Sequence, residues 1–122
     1  MKETITCAVE GEVAIIMLPE SFEGNKDRKM LETAVTAFLQ KKFCGVAVDF
    51  EKTQYIDSSA IGAMIMVTNK ARKQELPFAL CAIKKDMAEM IAPNLGILFQ
   101  TFPTKAAAIE ALANGEVESI AA

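Results

Sequence analysis

Asp49-Phe50-Glu51-Lys52-Thr53-Gln54-Tyr55-Ile56-Asp57-Ser58-Ser59-Ala60-Ile61-Gly62 decides how the chain folds, because within it a short apolar run stops, polar groups cluster and a long apolar run begins. Upstream, Gly45-Val46-Ala47-Val48 leading into Asp49-Phe50 reads as a buried strand. Downstream, Ala60 to Val67 is apolar except for Gly62, which is too long for a strand and suits a buried helix. Helical spacing within that run puts Ile61 and Ile65 on the sheet-facing side. Asp57-Ser58-Ser59 is then the start of the helix. A carboxylate or hydroxyl there caps backbone N–H groups that have no partner in the first turn, so these polar residues have a structural purpose before any chemical one.

The flanks supply the rest of an α/β pattern. Glu3 to Val9 alternates loosely, Glu10-Gly11-Glu12 is turn-like and Val13 to Leu18 is a second apolar run, which together predict a hairpin ended by Pro19. The polar stretch Glu20 to Asn25, interrupted by Phe22, leads to Met30, Leu31, Ala34, Val35, Phe38 and Leu39, spaced as one face of an amphipathic helix. Lys41-Lys42 at its end suits the negative pole of the helix dipole. After the central helix, Glu75-Leu76-Pro77 makes a break and Phe78 to Ile83 a further strand. The resulting βαβ unit has a right-handed crossover, which places its helix on one face of the sheet. Met87, Met90 and Ile91 mark a short third helix, Pro93-Asn94-Leu95-Gly96 ends it, and Ile97 to Phe99 is a final edge strand. Thr104 caps a last helix packed through Ile109, Leu112 and its alanines, and Asn114-Gly115 stops it. The expected order is ββαβαβα: a mixed sheet of about four to five strands, with helices packed mainly on one face. Residues 1–115 form one domain and 116–122 a mobile tail.

At Asp49 and Asp57 to Gly62 the sequence resembles the sulfate-transporter and anti-sigma-factor-antagonist (STAS) domain in its small bacterial single-domain form. That family ends a central strand with an aspartate, runs through a short loop to Asp-Ser-Ser/Thr-Gly-Leu-Gly at a helix start, and continues with an apolar helix. Here those features are Asp49, the loop to Ile56, Asp57-Ser58-Ser59-Ala60-Ile61-Gly62 and a helix from about Ser58 to Lys73. Ala60 and Ile61 replace the commoner Gly-Leu. The segment from Ile97 to Leu112 is also similar to the family's last strand and helix, so the resemblance spans most of the chain.

Composition narrows the function classes. The 122 residues suffice for one compact core without staples, and no linker divides them. A formal charge of −3 and the absence of any Lys/Arg cluster argue against nucleic-acid binding, which needs positive charge gathered against phosphates. Lys41-Lys42 and Lys84-Lys85 read as solvated pairs. Cys7, Cys44 and Cys81 are equally spaced, but their flanking residues do not repeat, and without C-x-x-C spacing or any histidine they make no zinc site. They read as buried free thiols suited to a reducing cytoplasm. The N-terminus lacks a signal-peptide core and no run reaches the ~20 apolar residues of a membrane span, so a cytoplasmic protein is expected. Met64, Met66, Met87 and Met90 read as core packing in preference to a plastic binding groove.

An enzyme is disfavoured. With no histidine, Ser-His-Asp and Cys-His devices are impossible. A Ser-Lys device would need a desolvated lysine, and the nearby chain offers only Lys52. Glycines 11, 24, 45, 62, 96 and 115 form no phosphate-binding loop, and no cofactor or metal is implied. Ser58, on the first turn of a helix, is reachable by a kinase. A phosphate there adds roughly 1.5 to 2 negative charges where a helix N-terminus tolerates them. Local chemistry leaves capping as the alternative role for Ser58 and Ser59. The resemblance implies more: an unphosphorylated form that binds an anti-sigma factor with serine-kinase activity and releases a sigma factor, a phosphorylated form that does not bind, and a serine phosphatase that resets it. Ser58 aligns with the modified serine and Ser59 is the fallback. Asp49, Asp57, Ser58, Ser59 and Ala60 make up the partner-binding and switch region, with Asp57 as cap and Asp49 holding the loop. The other implied role is that of an adaptor or scaffold subunit in a stress-signalling or lipid/anion-transport assembly.

Overall fold

The computed structural model describes residues 5–89 and 100–117. The hairpin forms from β1 (Thr6–Glu10) and β2 (Val13–Met17), paired antiparallel from Thr6 opposite Met17 to Glu10 opposite Val13. The chain continues through β3 (Ser21–Phe22), α1 (Gly24–Leu39), β4 (Gly45–Asp49), β5 (Tyr55–Ile56) and α2 (Ser58–Lys73). It then passes through β6 (Phe78–Cys81), helical residues 85–89, β7 (Gln100–Phe102) and α3 (Lys105–Ala113). The main sheet has the order β1-β2-β4-β6-β7, antiparallel at the hairpin and parallel elsewhere, and β3 and β5 form a separate two-stranded parallel ladder.

The sheet is covered on both faces, which explains why β2, β4 and β6 are apolar at almost every position rather than at every second one. Ala14, Ile16, Val46, Val48, Phe78 and Leu80 face α1 and α2, with Met87 packed among them. Val13, Ile15, Ala47, Ala79 and Cys81 face the other way, onto Ala108, Ala111 and Leu112 of α3. Among the described residues, α1, α2 and the helical residues 85–89 gather on one face and α3 covers the other.

Several expectations shift in detail. α2 runs from Ser58 to Lys73, but its buried side is Ala60, Ala63, Met64, Val67, Thr68 and Ala71. Ile61 and Ile65 are only half-buried at the margin of the core, which corrects the face assigned to them. In a stretch this uniformly apolar, hydropathy cannot choose a face; the buried side includes the small residues Ala60 and Ala63. Lys41 and Lys42 lie past the end of α1 rather than in its last turn. β7 is an edge strand at Gln100–Phe102, whereas Met90, Ile91 and the strand expected at Ile97 to Phe99 fall outside the described residues. Of the expected tail, Val117 packs into the α3 cluster and 118–122 are not described. Of the three cysteines only Cys81 is buried: Cys44 is half-buried and Cys7 exposed, because β1 is the sheet's outer strand.

Candidate functional site

The parallel strands β2 and β4 end together at Met17 and Asp49, and the polar segments that follow them lead to the starts of α1 and α2. The loop after β4 is strongly held. Asp49, buried at the strand end, accepts a hydrogen bond from the Glu51 N–H at its Oδ1 (3.1 Å). Thr53, also buried, donates its hydroxyl to the Pro19 carbonyl (2.9 Å). Lys84 donates from Nζ to the carbonyls of Glu51 (3.0 Å) and Thr53 (2.9 Å), so it acts as a clamp on the loop rather than a solvated charge. Gln54 and Tyr55 donate their backbone N–H groups to the Glu20 carbonyl (2.7 and 3.2 Å), joining this loop to the one that follows β2.

Asp57 closes two helices at once. Its Oδ1 accepts from the Ala60 N–H (2.9 Å) at the start of α2, and its Oδ2 accepts from the Gly24 N–H (3.2 Å) at the start of α1. Glu23, the residue before α1, makes no side-chain cap of its own; Asp27 accepts its N–H instead (2.8 Å). Two helix N-termini, each carrying a partial positive charge, therefore converge on one carboxylate. The sequence shows Asp57 as a cap for the helix beside it, but its bond to Gly24 bridges 33 residues and leaves no local pattern.

The five residues of the sequence-derived site do not present themselves equally. Ser58, first residue of α2, is exposed, Asp57 and Ser59 are half-buried, and Asp49 and Ala60 are buried, so the last two shape the surface from beneath. Tyr55, three residues before Ser58, is 47% exposed and was not singled out from sequence. An aromatic ring in an otherwise polar loop is the signal that could have found it. With Gln54, Ile56, Lys84, Asp86 and Met87 it lines an open cleft of about 290 Å³.

The buried thiol beside Asp49 is held in its protonated form. Burial pushes the Cys81 thiol up to about 12, helped by the neighbouring Asp49 charge, and its Sγ lies 3.6 Å from the Val48 carbonyl and 3.8 Å from Asp49 Oδ1. A thiol held protonated is a poor nucleophile and a poor metal ligand. Among the described residues no group of three or more Cys, Asp or Glu could hold a metal ion, and no helix is long and apolar enough to cross a membrane.

Comparison with known proteins adds a family. A family model described as STAS domain matches residues 8–108. No curated protein matches the sequence at a significant level. Among solved structures, an anti-sigma-factor antagonist (STAS) domain protein from Planctomyces limnophilus is 21% identical with a TM-score of 0.78, over 91% of this chain and 99% of that one. The phosphorylated form of the Bacillus cell-fate determinant SpoIIAA is 15% identical with a TM-score of 0.71, over 89% and 99%. A structure described as the molecular architecture of the stressosome, a signal integration and transduction hub, contains a chain 17% identical with a TM-score of 0.76, over 91% and 98%. At these identities the likeness is one of fold.

Proposed function

The chain belongs to the STAS-domain family, and from that premise we propose that it is a regulatory binding protein of the anti-sigma-factor-antagonist type, switched by phosphate at Ser58. The observation that carries this reading is the pairing of an exposed Ser58 hydroxyl with a fully engaged Asp57. Because Asp57 already caps α2, the Ser58 hydroxyl is not needed for folding and is free to be modified. A phosphate placed there meets the positive ends of α1 and α2, so the fold accepts it, while the outward surface changes from a neutral hydroxyl to a charge of roughly −1.5 to −2. Ser59 is half-buried and less accessible to a kinase, which orders the two candidates.

In this reading the unphosphorylated protein binds an anti-sigma factor that is also a serine kinase and frees its sigma factor. Phosphorylation at Ser58 ends binding, and a serine phosphatase restores it. Tyr55 supplies the exposed aromatic anchor next to the switch, the kind of residue that dominates interface energetics. The protein acts by binding, in the cytoplasm, with no turnover of its own.

The test is calorimetric titration against an anti-sigma factor kinase from the same genome, with mass spectrometry after kinase treatment. Wild type should bind and take up phosphate at Ser58. Ser58→Ala should fold, bind and refuse phosphate, and Ser58→Asp should fold but bind poorly. Tyr55→Ala should weaken binding without lowering stability. If Ser58 and Ser59 take up no phosphate and Ser58→Asp binds like wild type, the switch is wrong. The second reading, an adaptor within a stress-signalling or transport assembly, then takes its place; the fold likeness to the stressosome chain favours it.

A further inference from the structure

Among the described strands the one most open to solvent, β1, has an apolar centre, Cys7-Ala8-Val9. All five residues of β1 are exposed, β1 is an outer strand of the main sheet, and Val9, at 55%, is more exposed than Tyr55. At the other side of the described sheet, β7 (Gln100–Phe102) is followed by Pro103, which has no N–H to offer. β1 carries no lysine and no proline, its register runs without a bulge through five residue pairs, and its one charge, Glu10, sits at its end.

The hairpin determines which backbone groups that edge presents. Glu10 and Val13 are opposed across a two-residue turn whose first residue, Gly11, has φ +60, as a II′ turn requires. In such a turn the flanking residues exchange hydrogen bonds, so Glu10, Ala8 and Thr6 bond inward to β2. Cys7 and Val9 then direct their N–H and C=O groups outward. Their side chains share the α1 face of the sheet, since they stand opposite Ile16 and Ala14 of that cluster. Cys7 also lines an apolar groove of about 350 Å³ with Ile5, Lys29, Met30, Thr33 and Ala34, along the flank of α1.

We infer that β1 pairs antiparallel with β1 of a second copy of this chain, about a two-fold axis through Ala8. The strand is complementary to itself about that point. Cys7 faces Val9 of the second copy and Val9 faces its Cys7, giving four backbone hydrogen bonds and two apolar cross-strand pairs beside the two grooves. Glu10, the single charged residue of the strand, then lies opposite Thr6, whereas a parallel pairing would set the two Glu10 carboxylates side by side. A five-residue strand pair buries less than the roughly 1,200–2,000 Å² of a stable complex, so the dimer forms weakly and depends on concentration.

Sedimentation velocity of the full chain from about 10 µM to 1 mM should show monomer giving way to dimer. Val9→Lys, which leaves the inward bonds to β2 intact, should weaken association at least about tenfold while the circular dichroism spectrum is unchanged. A second variant does not depend on that one. Val9→Cys brings the introduced thiol opposite Cys7 of the second copy at a separation near 5.5 Å between Cα atoms, within disulfide reach. With an added copper–phenanthroline/O₂ oxidant to accept the two electrons, a covalent dimer should form with the bond mapped between positions 7 and 9. Cys7→Ser in the same background should abolish it. A purely monomeric wild type at every concentration, undiminished association in Val9→Lys, or no position 7–9 cross-link would each overturn the inference, leaving the edge open or to a different partner.

Discussion

At the scale of single residues, Asp57 does more than its place in the sequence indicates. Its two oxygens accept from Ala60 and Gly24, so Asp57→Ala removes a cap from α2 and a long-range tie to α1 together. The expected loss is about 1–3 kcal/mol, more than a cap alone, and Asp57→Asn, which keeps one acceptor oxygen, should lose less. Urea midpoints of the two variants check both. Cys81 offers a second test. Its folded thiol is pushed up to about 12, above the unfolded range near 8.5–9, so its contribution to stability is complete below that range and is lost as pH rises toward 12. Thermal melts should therefore show the margin of wild type over Cys81→Ala narrowing from pH 8 upward. Native protein treated with maleimide at neutral pH should label at Cys7 and not at Cys81. The sequence placed all three thiols inside, because nothing local distinguishes an outer strand from a central one.

At the scale of elements, α2 was legible in position and illegible in orientation. Asp57-Ser58-Ser59 marked its start, while the run that follows offers no polar side by which to orient it. Met64→Ala, on the buried face, should cost about 2–5 kcal/mol, and Ile65→Ala clearly less, as read from chemical denaturation. The helix ends make a further comparison. α2 and α3 finish in the same geometry: Leu76 N–H donates to the Ala71 carbonyl (2.9 Å) and Glu116 N–H to the Ala111 carbonyl (2.8 Å). The left-handed residue in each is Glu75 (φ 56) and Gly115 (φ 71). Asn114-Gly115 announced its stop in the sequence, whereas Glu75 gave no such signal. Glu75→Gly should raise stability by roughly 0.5–1 kcal/mol, seen as a higher melting temperature, since only a glycine takes that conformation without steric cost. β3 and β5, two residues each, are too short to leave any periodicity, and their pairing was not foreseen.

At the scale of the molecule, the alternation of strands and helices made the mixed α/β sheet readable, with helices expected mainly on one face; the cover of the other face emerges only in the structure. That α3 covers the second face could not be read, because an alanine-rich helix is apolar on nearly every side. The β3–β5 ladder ties the molecule together in one further respect. Ser21-Phe22 pairs with Tyr55-Ile56, Glu20 receives the amides of Gln54 and Tyr55, and Asp57 receives that of Gly24, so the segments that precede α1 and α2 are bound to each other as well as to the sheet. Such a patch breathes as a unit. Deuterium uptake at Gly24, Gln54, Tyr55 and Ala60 should therefore occur at a common rate in the native protein, slowing or quickening together when a negative charge is placed at Ser58, so that the start of α1 registers an event on α2.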